Sequence, residues 1–351
     1  MMVVVARILL LGSVVAGLAV SPAGADPARP TEYRSTIDAI EPDVDGIEAE
    51  IIGGDAFINL TVTAGHTAVV EGYEGEPYLQ FLDDGTVQEN RLSPATYLNE
   101  SRYGRAGEVN MPQDVAEGRT DDDPPEWRTV ATNGSYAWHD HRVHWMSPDR
   151  PQGVEPGDVI QTQDVLLTVD DEPVAITVSV TLAEPISPLP WLALALVLLA
   201  VAVAAGWRRS LPVAAGGAVV ASVLAVVAGQ GELSSVPAGA GGSALVVIVP
   251  AIGLVAALAA GLLLWRGVRG LAGVTLLASA AALGGWALLR LTVLFKPVLP
   301  SDLPPSFDRA ATAVAIGIAG AVAVLTFHSG AVAPPPLTDD VAPDPEERAT
   351  T

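Results

Sequence analysis

The chain has 351 residues and a formal charge of −22; half of it is hydrophobic, only 5% is aromatic, and it contains no cysteine. The missing cysteines exclude disulfides, thiolate zinc sites, iron–sulfur clusters, blue-copper centres and cysteine nucleophiles. The acidic balance argues against nucleic acid as a partner, because phosphate binding needs clustered Lys and Arg, and the single lysine, Lys296, speaks against P-loop or Schiff-base chemistry.

Charge is unevenly spread. Residues 26–188 carry 32 acidic and 9 basic side chains, and the remainder carries 8 and 9. An acidic, water-soluble part and an apolar part therefore share one chain.

Residues 1–25 read as a secretory signal peptide. Arg7 supplies the positive start, Ile8 to Val20 the apolar stretch, and Ala23-Gly24-Ala25 the small-residue cleavage pattern. The apolar stretch is shorter than a full membrane span, which favours cleavage over an uncleaved anchor.

Residues 26–188 then form an extracytoplasmic domain with β patterning. Ile47–Ile52 and Ala56–Val62 flank Gly53-Gly54-Asp55, a hairpin signal. Tyr78–Leu82 and Thr86–Gln88 flank Asp83-Asp84-Gly85. Val165–Val169 and Val174–Leu182 flank Asp170-Asp171-Glu172-Pro173. In the last run Val174, Ile176, Val178, Val180 and Leu182 alternate with mostly small or polar residues, as in a half-buried strand. Leu92 to Trp127 is rich in turn formers and charge and reads as a long irregular excursion. The spacing predicts an all-β sandwich of about seven strands, immunoglobulin-like in outline.

Five apolar segments follow, at 189–207, 211–228, 244–265, 271–289 and 310–328. Each is long enough to cross a hydrocarbon core of roughly 30 Å, so the lipid bilayer is the first partner. With the β-domain outside, five spans put the C-terminus in the cytoplasm. Arg208, Arg209, Arg266 and Arg269 then lie in cytoplasmic loops, as the positive-inside tendency requires. Arg290 and Arg309, near the outer loop around Lys296, run against it. The tail 329–351 is acidic and Pro-rich and reads as disordered. The spans hold almost no ionisable residues: Arg290 is the one charge near a span end, with no acidic residue within a span to pair with it. The helices therefore read as an all-α anchoring bundle, with many small residues for close packing.

Chemistry concentrates in one segment. Three of the five histidines fall within six residues, in Trp138-His139-Asp140-His141-Arg142-Val143-His144-Trp145-Met146. On a strand over Ser135–His141, His139 and His141 project from one face and Asp140 from the other; a turn after His141 brings His144 to the same side. Imidazole suits copper and zinc, and the Met146 or Met111 thioether favours Cu(I). His139, His141, His144 and Met146 are the candidate metal ligands, copper the candidate cofactor, and Trp138 and Trp145 the candidate shield. In the competing reading His139, Asp140, Arg142 and the tryptophans are a buried polar network that fixes the excursion.

Gly134-Ser135-Tyr136-Ala137-Trp138-His139-Asp140-His141 resembles the strand of cupredoxin-type domains in multicopper oxidases, where an aromatic residue precedes a His-x-His pair. The resemblance implies a cupredoxin-like sandwich. The further histidine motifs and the cysteine of those oxidases are missing, so it does not imply oxidase activity. Over most of its length the chain also resembles uncharacterised actinobacterial membrane proteins, through Gly75-Glu76-Pro77-Tyr78-Leu79, Ser93-Pro94-Ala95-Thr96-Tyr97-Leu98-Asn99 and the Trp138–Met146 segment. That likeness implies architecture and no activity.

Other motifs are weaker. Asp43-Val44-Asp45-Gly46 starts like a calcium loop, but Ile52 stands where a bidentate Glu is needed. No nucleophile triad or phosphate-cradling Gly loop is visible, so no enzymatic activity is expected. The sequence supports a membrane-anchored envelope protein that binds or handles copper or another transition metal. The alternative is a non-catalytic interaction module, docking another envelope membrane protein, in which the His/Trp cluster is structural.

Overall fold

The structure is a computed structural model and describes residues 27–104, 109–118, 123–208, 210–237 and 242–332. The predicted signal peptide and the tail beyond residue 332 lie outside the described residues.

The N-terminal part is an antiparallel β-domain. Its strands are β1 (Tyr33–Glu41), β2 (Ile47–Ile52), β3 (Phe57–Val62), β4 (Ala68–Glu71), β5 (Pro77–Phe81), β6 (Val87–Asn90), β7 (Trp127–Ala131), β8 (Ser135–Trp138), β9 (Val159–Val169) and β10 (Glu172–Leu182). Among the described residues they form a seven-stranded sheet, β1-β10-β9-β4-β5-β6-β7, and a three-stranded sheet, β2-β3-β8. The strand total thus exceeds the seven expected from spacing, because a short strand such as β4 carries too few residues to show alternation. The excursion between β6 and β7 holds two short helices, α1 (Pro94–Leu98) and α2 (Gln113–Ala116).

Alternation decides which faces are buried. Val174, Ile176, Val178, Val180 and Leu182 of β10 are all buried. Ile58, Leu60, Val62 and Trp138 from the small sheet join Leu79, Phe81, Val165, Leu167, Ile176 and Val178 from the large one in a single hydrophobic cluster. The two sheets therefore share one core, to which each fully buried large aliphatic side chain contributes roughly 1.5–3 kcal/mol.

The three predicted hairpins form, as β2–β3, β5–β6 and β9–β10. The last is tighter than its sequence suggests. Val169 pairs with Glu172, so Asp170 and Asp171 alone make the turn, with φ of 47° and 68°. Two left-handed residues match the right-handed twist of the flanking strands. The Asp170 carboxylate accepts the Thr67 backbone N–H at 2.8 Å, which helps hold it there. Pro173 lies inside β10 opposite Thr168, past the end of the β1 pairing at Ala175, where no donor is needed on that edge.

The C-terminal part contains α3 (Leu189–Gly206), α4 (Ser210–Ser234), α5 (Leu245–Trp265), α6 (Arg269–Leu289), a 3₁₀ turn (Leu291–Leu294) and α7 (Pro305–His328). Among the described residues five helices, of 18 to 25 residues, are long and apolar enough to cross a membrane. Two exceed their predicted bounds by a turn or more. Helix α4 runs on from 228 to Ser234, and α7 starts at Pro305 instead of 310. These extra turns draw Glu232 and Asp308 into the helices, and both carboxylates pair with Arg290, Asp308 at 2.6 Å. The expectation that Arg290 has no acidic partner in the helices is thereby corrected. Apolar windows miss such turns because a charged pair at a helix end lowers local hydropathy without breaking the helix.

The bundle is closed by small residues. At Gly229 of α4 an added Cβ would lie 2.1 Å from the Val246 carbonyl oxygen of α5, so only glycine permits this approach. That carbonyl has lost its usual helical partner, because Pro250, four residues on, has no N–H. The indole of Trp286 on α6 donates to it at 2.8 Å instead. In an apolar surrounding every backbone acceptor needs such a replacement.

The two parts meet at the segment between α6 and α7. Thr31 and Val298 form an antiparallel bridge with N–H···O distances of 3.0 and 3.2 Å. Beside it Lys296 pairs with Glu32 at 2.9 Å.

Candidate functional site

The His139–His144 segment is a turn at the end of an edge strand. Strand β8 pairs with β3 only from Ser135 to Trp138, so it ends before the histidines and not at His141 as predicted. The cause is Asp140. Its carboxylate accepts the Arg142 backbone N–H at 3.0 Å, and its carbonyl accepts from Val143 at 3.0 Å. Such an Asx turn competes with the β ladder and ends it.

Asp140 is fully buried and accepts three further hydrogen bonds. They come from Trp138 Nε1 at 2.9 Å, Arg142 Nε at 2.8 Å and Arg142 Nη2 at 2.7 Å. Burial pushes its carboxyl up, but the Arg142 guanidinium and these donors outweigh it and hold the pKa below the usual carboxylate range. The same pairing raises the Arg142 pKa although burial works against it. Arg142 also donates to the Glu71 carbonyl at 3.1 Å and lies over the Tyr73 ring, 5.2 Å from its centroid. Asp140, Arg142 and Trp138 thus form a satisfied polar brace between the turn, β8 and the β4–β5 connection.

The turn brings the three histidines together. The His144 ring lies 6.3 Å from the His139 ring and 5.6 Å from the His141 ring, edge-on to both. Imidazoles that share an ion at about 2 Å from each nitrogen have ring centres about 5–6 Å apart. Each ring has one nitrogen against a backbone carbonyl: His139 Nδ1 on Ala56, His141 Nε2 on Ser101 at 3.2 Å, and His144 Nδ1 on Trp145 at 3.3 Å. A carbonyl only accepts, so these nitrogens carry the proton. His139 further stacks on Phe57 at 4.3 Å, and His141 on Tyr73 at 5.5 Å. The Tyr73 hydroxyl accepts the His141 backbone N–H at 2.9 Å and donates to Asn99.

Burial sets the electrostatics. His139 and His144 are buried, and His141 is partly so. Burial lowers the pKa of His141, and it lowers that of His144 strongly, with help from the Arg102 guanidinium. Both rings are neutral at pH 7. His144 Nε2 is buried and has no hydrogen-bond partner. Among the described residues, no group of three His, Cys, Asp or Glu side chains is already arranged to hold a metal ion.

The other predicted site residues divide. Met146 and Met111 are partly exposed, unlike His139 and His144. Trp138 lies in the main core, edge-on to Tyr78. Trp145 packs instead with Tyr33, Val180 and Leu182, and donates to the Asp149 carbonyl at 2.9 Å, so it belongs to a separate small cluster.

Sequence reasoning missed a second buried pair beside the histidines. Arg102, in the excursion, grips Asp55 of the β2–β3 turn through two hydrogen bonds, one of 3.1 Å from Nη1. Burial raises the Asp55 pKa despite Arg102, whereas Asp140 ends low. The difference is donor number: Asp55 adds only Thr31 Oγ1 at 3.5 Å, whereas Asp140 also has the Trp138 indole and a backbone N–H. No sequence signal links Asp55 to Arg102, because they are 47 residues apart.

Fold and site together define a class: an antiparallel β-domain with a largely buried three-histidine turn, joined to a helical region with five helices long and apolar enough to cross a membrane. The chain matches no protein-family model, no curated protein sequence and no solved structure.

Proposed function

We propose that the protein is a multi-pass membrane protein whose β-domain faces the extracytoplasmic side and binds a transition metal, copper first, at His139, His141 and His144. The observation that carries this reading is the buried, unpartnered Nε2 of His144, with two further imidazoles edge-on to its ring. Leaving a buried polar nitrogen unmade costs about 1–3 kcal/mol, so a group that fills it is favoured. The backbone carbonyls on the opposite ring nitrogens are the usual outer partners of metal-bound histidine, fixing tautomer and ring direction. Small ring rotations convert the edge-on packing into a shared site, with Met146 or Met111 as an outlying thioether ligand. A cupredoxin-like sandwich fits this role, and the cysteine-free cluster suits storage, sensing or transfer of metal more than redox turnover.

The test is metal analysis and copper titration of the full-length protein in detergent. One tight equivalent is expected. It should vanish in the His139→Ala/His141→Ala double variant and in His144→Asn, which preserves more of the packing. Unchanged stoichiometry in both variants, or no tight equivalent in the wild type, would overturn the reading. The acidic surface binds cations weakly, so only the tight equivalent counts.

A further inference from the structure

The α6–α7 segment reaches into the β-domain at the β2–β3 turn, beside the Ala56 carbonyl that accepts from His139. Val298 is buried, and its Cγ1 lies 2.2 Å from where a Cβ on Gly54 would stand. Gly54 has φ of +86°, which glycine adopts without strain. The methyl of Val298 therefore fills the place of the missing side chain.

From this joint, contacts run both ways. Toward the histidines, Val298 bridges Thr31, whose hydroxyl reaches the Asp55 carboxylate at 3.5 Å. Asp55 grips Arg102, the charge that acts most strongly on His144, and the preceding carbonyl, Ser101, accepts from His141. Two residues beyond Gly54, the Ala56 carbonyl accepts from His139. Toward the helices, Arg309 of α7 holds the same segment through the carbonyls of Val293 (3.2 Å), Lys296 (2.9 Å) and Pro297 (3.0 Å). Its neighbour Asp308 is fully buried and pairs with Arg290, which also pairs with Glu232. Asp308 Oδ2 and Arg290 Nε are buried without partners, so this cluster has spare hydrogen-bonding capacity for a second arrangement.

We propose that the α6–α7 segment is a coupling joint: the histidine cluster and the Glu232–Arg290–Asp308–Arg309 cluster occupy one two-state equilibrium, so the helices respond to copper bound in the β-domain. The ligand in this proposal rests on the metal reading above; the coupling rests on the joint alone. The Ala56 and Ser101 carbonyls on one side and Arg309 on the other are tied to this one short segment, so a rearrangement that moves those carbonyls moves the segment too. Linkage requires the reverse as well: strain placed in the joint must change copper affinity by the factor with which copper shifts the joint.

The experiment uses the full-length protein in nanodiscs and reads amide hydrogen exchange at residues 139–145 and 290–312. Gly54→Ala drives a Cβ into Val298. Gly65→Ala is the control, because Gly65 also has positive φ (94°) but has nothing within 4 Å of an added Cβ. Without metal, Gly54→Ala should speed exchange in both segments, Gly65→Ala in neither, and Gly54→Ala/Val298→Ala should bring both back toward the wild-type rate by removing the clashing methyl, the left-handed φ of Gly54 leaving some strain. If Gly54→Ala fails to fold, Val298→Ala alone empties the joint and should loosen both segments. A change confined to one segment overturns the coupling. In the second arm copper is titrated: it should slow exchange at 290–312 in the wild type, and Gly54→Ala should weaken copper binding about tenfold. Tight copper binding with 290–312 unchanged overturns the coupling and leaves the metal reading standing. No tight copper binding overturns the metal reading, and the metal-free arm still decides the coupling.

Discussion

Two buried carboxylate–guanidinium pairs border the histidines, Asp55–Arg102 and the more fully hydrogen-bonded Asp140–Arg142. Asp140→Asn leaves the Arg142 charge buried without its counter-ion, and removing one member of such a pair costs about 3–5 kcal/mol. We expect that loss in denaturant unfolding of the Asp140→Asn variant; a change below about 1 kcal/mol would mean that the brace is dispensable. The histidines give a pH signature in the metal-free protein. His141 and His144 are neutral in the fold, with burial holding their pKa values below that of a free imidazole, whereas the unfolded chain titrates near 6.5. Below about pH 6.5 the unfolded state binds more protons, so stability is full above that pH and is lost as pH falls through it. The midpoint of unfolding should drop between pH 7.5 and 5.5, and His144→Asn should flatten that drop; an equal slope in the variant would assign the titration elsewhere. At this scale the sequence was partly readable. The crowding of His139, His141 and His144 is plain, but their carbonyl partners are not, since Ala56 lies 83 residues from His139 and Ser101 lies 40 from His141.

At the level of elements, hydrophobic period marks where strands and helices run but leaves their ends to local polar chemistry. Strand β8 stops at Trp138 because Asp140 captures the backbone. Helix α7 starts early because a charged first turn finds Arg290. The β9–β10 turn shows the same limit: four turn-forming residues signal a loop, and ladder pairing reduces it to Asp170 and Asp171. Left-handed φ costs a non-glycine residue about 1–2 kcal/mol. Asp171→Gly, at φ of 68°, should therefore raise stability by about 0.5–1 kcal/mol. No gain in melting temperature would show that the Asp171 side chain stabilises the turn by other contacts. In the helices, Trp286→Phe strips the Val246 carbonyl of its donor and should cost about 0.6–1.7 kcal/mol in detergent unfolding. The loss should shrink in the Pro250→Ala background, where a helical N–H returns; equal losses in both backgrounds would break this assignment.

For the whole molecule, the arrangement depends on contacts far apart in sequence. Glu232 lies on α4, Arg290 at the C-terminal cap of α6 and Asp308 on α7, and Lys296 reaches Glu32 across 264 positions. Arg290→Gln should destabilise the bundle by about 3 kcal/mol, because Asp308 would keep a buried charge without its partner. The division into an acidic β-domain and an apolar helical region was already present in the linear chain, since alternation of period two, long apolar runs and the distribution of charge are local properties. So was the location of the histidine cluster, which needs only neighbouring residues. The sheet order, the Asp55–Arg102 pair, the ring packing on His144 and the Val298–Gly54 joint were decided only in the folded molecule. Each depends on surfaces brought together from distant segments, where burial and hydrogen-bond satisfaction, not local pattern, choose the partner.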